Sequence, residues 1–452
     1  MMPVVRFGVF IEFIFLIFYL TLLWAIYFFV GPDPLLACAC FFLYVLFGIY
    51  IYKNFFRAFL IFFPFYFSYF WVAVSCAYLE FGVYISEQES YSFATGRTLR
   101  LVTYVFIFLC VAICLFQANK NIYLRNYVPM FFLHSQFLVN FAFILMSTIL
   151  FLLFCGLLIY GSPPVQGITR FQYWAQHPFP FLWKLQILLS QMTFFLGAVC
   201  AQSDNGIKFK SAVIVFSTVV LNVLYGDKFS TNMVALTNFA ISFFLIKFIV
   251  FRQKPVLSHV LSICLVSIFF FSLLIYWFYA NVHGIDSYDI PRYVLDRIFA
   301  LQGHTWWGID ALALDKDFFY GFKQLFMTSS EYEVGGLKML MYAIAPLDRV
   351  DWYVNNGITL TMGGIALPVF CVGYFITFFY VIFAGLCVGT LGIYIELKIL
   401  KYQLIRILIA SKMMWLFILA FNMGDLYLLC SLSFCIYLCL IFFDLLLTKL
   451  SF

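Results

Sequence analysis

Apolar runs of about 20 residues, the length a helix needs to cross the hydrocarbon core of a bilayer, recur along this chain with short polar breaks between them. Backbone groups inside lipid cannot reach water, so such runs can only be helices that satisfy their own hydrogen bonds. Twelve spans follow, at roughly 7–30, 35–52, 57–79, 100–117, 136–160, 182–202, 211–225, 232–251, 257–280, 366–393, 404–421 and 426–447. Glycine, proline or charge marks the breaks, as in Gly31-Pro32-Asp33-Pro34, Lys53 to Arg57, Gly161-Ser162-Pro163-Pro164 and Arg252-Gln253-Lys254-Pro255. The sequence therefore predicts an all-α polytopic membrane protein with about 12 transmembrane helices.

Composition excludes the soluble alternative. Only 10% of the residues are charged and 65% are hydrophobic, whereas a water-facing domain carries roughly 25% charged residues. The net charge of +6 does not mark a nucleic-acid partner, because the Lys and Arg residues sit in short clusters between apolar runs. That is a topology pattern. With the N-terminus inside, the inner segments hold thirteen basic residues: Arg6, Lys53, Arg57, Lys120, Arg125, Lys208, Lys210, Arg252, Lys254, Lys398, Lys401, Arg406 and Lys449. The short outer loops hold five, Arg97, Arg100, Arg170, Lys184 and Lys228. Both termini are thus expected on the cytoplasmic side of an inner-type membrane. The first run is too long for a cleavable signal peptide and is expected to remain as an anchor.

Thirteen cysteines are present, none in the long polar loop and none spaced with His as a metal site requires, so they read as small buried apolar residues. No Walker A, His-Glu-x-x-His, Gly-x-Ser-x-Gly or Rossmann glycine pattern occurs. ATP-driven, zinc-hydrolase and dinucleotide chemistry have no support, and no cofactor is expected.

The predicted organisation is 1–280 with nine spans, 281–365 as a large loop with a re-entrant end, and 366–452 with three spans. A loop of that length is uncommon unless it does a job. Its apolar and aromatic content, including Phe299, Trp306, Trp307, Phe318, Phe319, Phe326 and Trp352, predicts that it folds. Asp289 and Pro291 suit the start of a helix running to His304. Arg297, Leu301 and His304 share one face of it, provided the helix continues through Gly303. Arg292 lies roughly 140° away, beside Asp289 and Asp296, and suits a surface ion pair. His304, ahead of Trp306 and Trp307, suits a base, an orienting donor or an interfacial residue.

A short turn, Tyr225-Gly226-Asp227-Lys228-Phe229-Ser230, offers Lys228 either to Asp227 or to an anion. Arg170, near Tyr173, Trp174 and His177, and Arg349, in Pro346-Leu347-Asp348-Arg349, add cations on the same predicted side. Such a set suits a lipid-linked phosphate or pyrophosphate, which arginine grips in bidentate fashion. The polar, glycine-rich stretch from Asn355 to Pro368 is tolerable at membrane depth only where protein or a water-filled cavity covers it. Glu12 and Lys412 lie inside apolar runs near their ends, as functional charges or as snorkelling ones.

The chain resembles the Wzy-type O-antigen polymerases of Gram-negative bacteria. The resemblance covers the twelve-helix layout and the large loop between the ninth and tenth spans. It includes Arg297 with Leu301-Gln302-Gly303, the Gly226-Asp227-Lys228-Phe229-Ser230 turn, and Asn356-Gly357-Ile358-Thr359 with Thr361-Met362-Gly363-Gly364 at re-entry. Many relatives have Ser-Arg-Gly where this chain has Gly226-Asp227-Lys228, and Lys keeps the charge without the planar fork. The resemblance implies a GT-C-like bundle in the bacterial inner membrane with a periplasmic active site. It implies a metal-independent glycosyltransferase that moves a growing glycan from undecaprenyl pyrophosphate onto a fresh lipid-linked repeat unit. Its implied partners are that lipid-linked oligosaccharide, membrane lipids and a chain-length regulator protein. Arg297, Lys228, Arg292, Arg170 and Arg349 would meet the pyrophosphate, with Tyr225, Trp306 and Trp307 against the glycan. His304 or Asp310 would act as base. Two other classes share the layout: a flippase or transporter, disfavoured by unequal halves and sparse buried charge, and an O-antigen ligase.

Overall fold

A computed structural model of the chain describes residues 7–123, 136–203, 205–227, 230–281, 290–313, 321–327, 335–355, 360, 363–401 and 403–450. Its long helices are α1 (Phe7–Val30), α2 (Pro34–Asn54), α3 (Phe56–Leu79), α4 (Arg97–Tyr123) and α5 (Gln136–Tyr160). The short α6 (Arg170–Gln176) precedes α7 (Phe181–Gln202), α8 (Asn205–Leu224), α9 (Ser230–Phe251) and α10 (Leu257–Asn281). Within the large loop lie α11 (Ile290–Phe299), α12 (His304–Ala313), α13 (Phe322–Phe326), α14 (Gly336–Ile344) and α15 (Leu347–Asn355). The chain continues through α16 (Ala366–Leu400), α17 (Leu404–Ile418), a π turn (Leu419–Met423), a 3-10 turn (Leu426–Cys430) and α18 (Leu432–Leu450). Among the described residues ten helices are long and apolar enough to cross a membrane, and shorter apolar stretches occupy Phe269–Phe278 of α10 and Leu432–Leu446 of α18. The protein is an all-α polytopic membrane protein. Helix α8, expected over 211–225, begins earlier, at Asn205.

The chain forms two compact units, 1–125 with 295–393 and 413–452, and 126–294 with 394–412. In the first, α1 turns most of its surface away from protein: only 11% of its apolar window is buried, with Phe10, Phe15, Phe18, Phe28 and Phe29 exposed. Such a face needs lipid as its solvent. Glu12 on α1 reaches Lys53 at the end of α2 at 2.5 Å, so this intramembrane acid is paired. At the opposite end, Glu80 follows α3 and accepts from the backbone N–H groups of Thr95, Gly96 and Thr98, which fixes the start of α4. Burial pushes the Glu80 carboxyl above its usual range even though those N–H groups favour its charged form.

The glycines near the re-entry have a structural account. The π turn ends its helix at the left-handed cap Gly424, so its last carbonyls have no partner further along the helix. The N–H groups of Gly363 and Gly364 donate to Met423 O at 3.2 Å and Asn422 O at 3.1 Å, and the Tyr69 hydroxyl donates to Phe421 O at 2.6 Å. A Cβ on Gly364 would lie 2.0 Å from Phe421 O, so only glycine permits the approach. Residues 356–359 and 361–362 of the same motif lie outside the described residues.

In the second unit α7 is the central helix, with 78% of its apolar window buried. Amides and hydroxyls hold its neighbours: Gln186 to Asn222 at 3.0 Å, Asn222 to Ser190 at 3.3 Å and Asn238 to Ser411 at 3.2 Å. Inside lipid such bonds join helices that apolar contact alone would not hold in register. Among the described cysteines Cys40, Cys76, Cys200 and Cys371 are buried as expected, but Cys38, Cys114, Cys430, Cys435 and Cys439 are exposed.

Candidate functional site

The end of the first unit, where α3 stops and α4 begins, gathers charge from three stretches of sequence. Arg97 and Arg100, one turn apart on α4, both grip Asp310 of α12. Arg97 Nη1 donates to Asp310 Oδ1 at 2.7 Å, Arg100 Nη1 donates to Oδ2, and the Tyr374 hydroxyl donates to Oδ1. The Arg97 side chain is 0% exposed, and its Cζ lies 4.6 Å from the Trp306 ring centre, a cation–π contact. Arg100 Nη2 also donates to the Tyr27 hydroxyl at 2.5 Å. Tyr374 reaches Asp310 because Gly373, at φ 77°, kinks α16 immediately before it. Nothing lies within 4 Å of a Cβ built on Gly373, so backbone conformation rather than space demands glycine there.

Residues 80–96 supply the second element, a small hairpin of β1 (Tyr84–Ile85) and β2 (Ser90–Tyr91). Its tip meets the loop helices residue by residue. The Ser86 hydroxyl donates to Asp296, and Ser86 O accepts from Arg349 Nη1 at 3.0 Å. Glu87 Oε1 lies 3.4 Å from Arg297 Nη1, and its Oε2 lies 3.1 Å from His304 Nε2, with the ring too oblique for a hydrogen bond. Gln88 Nε2 donates to His304 O at 2.9 Å, and Glu89 pairs with Arg349 at 2.6 Å. Since a carbonyl only accepts, the 2.8 Å contact of His304 Nδ1 with Leu301 O puts a proton on Nδ1 and leaves Nε2 to face Glu87. Burial raises the Asp296 carboxyl above its ordinary value; the Ser86 hydroxyl opposes this and the charge of Glu87 adds to it.

The single helix expected through Gly303 is two. Helix α11 ends at Phe299 and α12 begins at His304. Ser75 of α3 bridges the turn, donating to Ala300 O at 2.6 Å and accepting from Gly303 N at 2.7 Å. A Cβ on Gly303 would lie 2.7 Å from the backbone nitrogen of Cys76, so a close-packed turn, not a helix, occupies this position. Arg297 and His304 still meet, through Glu87.

Of the residues expected to act together, Arg297, His304, Arg349, Asp310, Trp306 and Trp307 lie in this unit. Asp310 is 1% exposed with both oxygens engaged, which suits an anchor for two arginines better than a base. Trp306 faces Arg97, while Trp307 donates to Phe93 O at 2.9 Å and packs edge-on against the Phe93 ring. Both indoles are interior, away from any open sugar-stacking face. Arg292 is exposed on α11, and Asp289, its expected cap and neighbour, lies outside the described residues.

Arg170 and Tyr225 belong to the second unit. Arg170 pairs with Asp227 at 2.8 Å, so Asp227 is held by arginine. Lys228 lies outside the described residues. Tyr225 is buried, donates to Leu153 O at 2.6 Å and stacks on Trp174 with ring centres 5.1 Å apart. His177 accepts the Phe179 N–H on Nδ1 at 3.0 Å, and burial lowers its pKa. Arg97, Arg100, Glu80, Glu87 and Glu89 were not singled out from sequence as site residues. Their signal was the density of acids in 80–89 just ahead of two arginines, opposite a loop rich in arginine.

Among the described residues no group of three or more His, Cys, Asp and Glu side chains is placed to hold a metal ion. Residues 330–438, which include Arg349, Tyr374 and the π turn, match the model of a family of unknown function (DUF6418), less than half of the chain. No curated protein and no solved structure matches the chain.

Proposed function

We propose that the protein is a glycosyltransferase that joins lipid-linked oligosaccharide repeat units, as its resemblance to Wzy-type polymerases implies. The supporting observation is that Arg297 and Arg349, 41% and 36% exposed, meet one hairpin tip at the end of a bundle whose flanks are apolar. A lipid-linked diphosphate has the same division, a charged head on a hydrocarbon tail. Guanidinium groups at that head would stabilise charge developing on the pyrophosphate as the glycosidic bond breaks. Trp352, exposed on α15 three residues after Arg349, offers a ring for sugar stacking. His304 Nε2 is the candidate base for the acceptor hydroxyl, since Nδ1 is committed to Leu301 O. In this reading the site faces the periplasm, the protein resides in the inner membrane with both termini cytoplasmic, and undecaprenyl pyrophosphate is the departing lipid.

The test is Arg297→Ala expressed in the deletion strain at normal membrane abundance, with surface glycan resolved by length. The expected outcome is a lipid core capped with a single repeat unit. Chains of normal length reject the role of Arg297, and a core that carries no glycan favours a ligase and rejects the polymerase.

A further inference from the structure

The four residues Ser86 to Glu89 cover each of the loop groups that would handle an anionic substrate. Glu87 sits on Arg297 and His304 Nε2, while Glu89 and Ser86 O sit on Arg349. Two carboxylates present to two guanidiniums the number of charges a diphosphate would present, and they bond to the same donors. We infer that the acidic hairpin tip is a built-in stand-in for a diphosphate: Glu87 and Glu89 hold the seats of the ligand until it displaces them. The inference rests on the proposal that Arg297 and Arg349 receive a diphosphate.

Three features of the tip favour displacement over permanent support. The strands behind it are two residues each, so little ladder bonding holds it. Glu89 has φ 51°, a left-handed conformation that non-glycine residues rarely adopt, and leaving it relieves strain. The Arg349–Glu89 pair is also partly wet, at 36% and 42% exposed, and Arg297 is 41% exposed although Glu87 beside it is only 10% exposed. Exposed pairs contribute little and exchange readily. A general-base role for Glu87 fits less well, because its carboxylate would have to remain beside the guanidinium that binds the leaving group. When the tip departs, Arg297, Arg349 and His304 Nε2 become available together, which couples substrate arrival to exposure of the base.

The experiment uses the purified full-length protein and inorganic pyrophosphate, with binding measured by calorimetry. E87Q/E89Q keeps the size of both side chains and removes their charge. Pyrophosphate should bind about 3- to 10-fold more tightly than to the wild type, the gain expected from removing two competing carboxylates, one of them in an exposed pair. Unchanged or weaker binding overturns the inference, as does no binding to either protein. Amide hydrogen exchange of residues 84–91 in the wild type gives a second readout that needs no variant to fold. Exchange should rise when pyrophosphate is added, and a fall, meaning the tip closes over the ligand, overturns the stand-in role. R297A/R349A separates the two ideas: if it binds pyrophosphate as the wild type does, the anion-site proposal itself fails.

Discussion

Two clusters in one unit use the same chemistry to opposite ends. Arg97, Arg100 and Asp310 form a knot in which Arg97 and Asp310 are almost fully buried, with Trp306 and Tyr374 closing it. Arg297, Arg349, Glu87 and Glu89 form a looser set, with three of the four side chains more than a third exposed. Burial decides what each can do. Charges taken from water must stay paired, because removing one partner strands the other in a medium that cannot solvate it. Charges that still touch water can change partners at small cost. The knot therefore positions α12 against α4, and the loose set can exchange its partners.

The largest effect should come from breaking the knot. Asp310→Ala leaves two arginines without their shared counter-ion and should destabilise the unit by roughly 3–5 kcal/mol, read as loss of folded protein in detergent melts. If this variant melts like the wild type, the contrast between the clusters fails. Gly303→Ala pushes a methyl group into Cys76 and Ser75 and should cost about 1–3 kcal/mol by overpacking, measured in the same melts. Arg349→Ala, at the exposed cluster, should change stability by only about 0–1 kcal/mol yet abolish glycan chain growth. A large loss of stability there would move Arg349 into the structural class.

The smallest effect is a pH dependence. Burial raises Asp296 on folding, so the native state takes up that proton more readily than the unfolded state does. The contribution of this group to stability should grow as pH falls from above its raised value toward the ordinary carboxylate value, and shrink as pH rises. The melting temperature of the wild type should rise relative to that of Asp296→Asn on going from neutral to mildly acid pH. A wild type that holds level with the variant or falls behind it on acidification contradicts the assigned cause.

The helices were legible because a membrane imposes a length and a composition on each one. Helices α1, α5 and α9 begin and end within two residues of where the apolar runs placed them. That the large loop folds was legible from its retained aromatics, and five short helices occupy its described parts. The counter-charges were not legible. Glu87 and Arg297 are 210 residues apart, as are Arg100 and Asp310, and no local period encodes such a pairing. Charge counting also assigned Arg97 and Arg100 to topology, since a rule that weighs loops cannot distinguish a charge facing water from one that turns inward to hold a neighbouring helix. The break at Gly303 was conditional in sequence, and Ser75, which settles it, lies on another helix.

The widened turn at Leu419–Met423 amounts to one extra residue in the last turn of the helix that begins at Leu404, just ahead of its left-handed cap Gly424. Deleting one residue there would restore the tighter winding and rotate everything beyond it by about 100°. The carbonyls of Asn422 and Met423 would then swing away from Gly363 and Gly364, leaving two donors stranded in the protein interior. A length change of one in this segment is thus a larger perturbation than many side-chain replacements. Neighbouring sequences that share residues 363–364 should keep the spacing to Gly424 fixed.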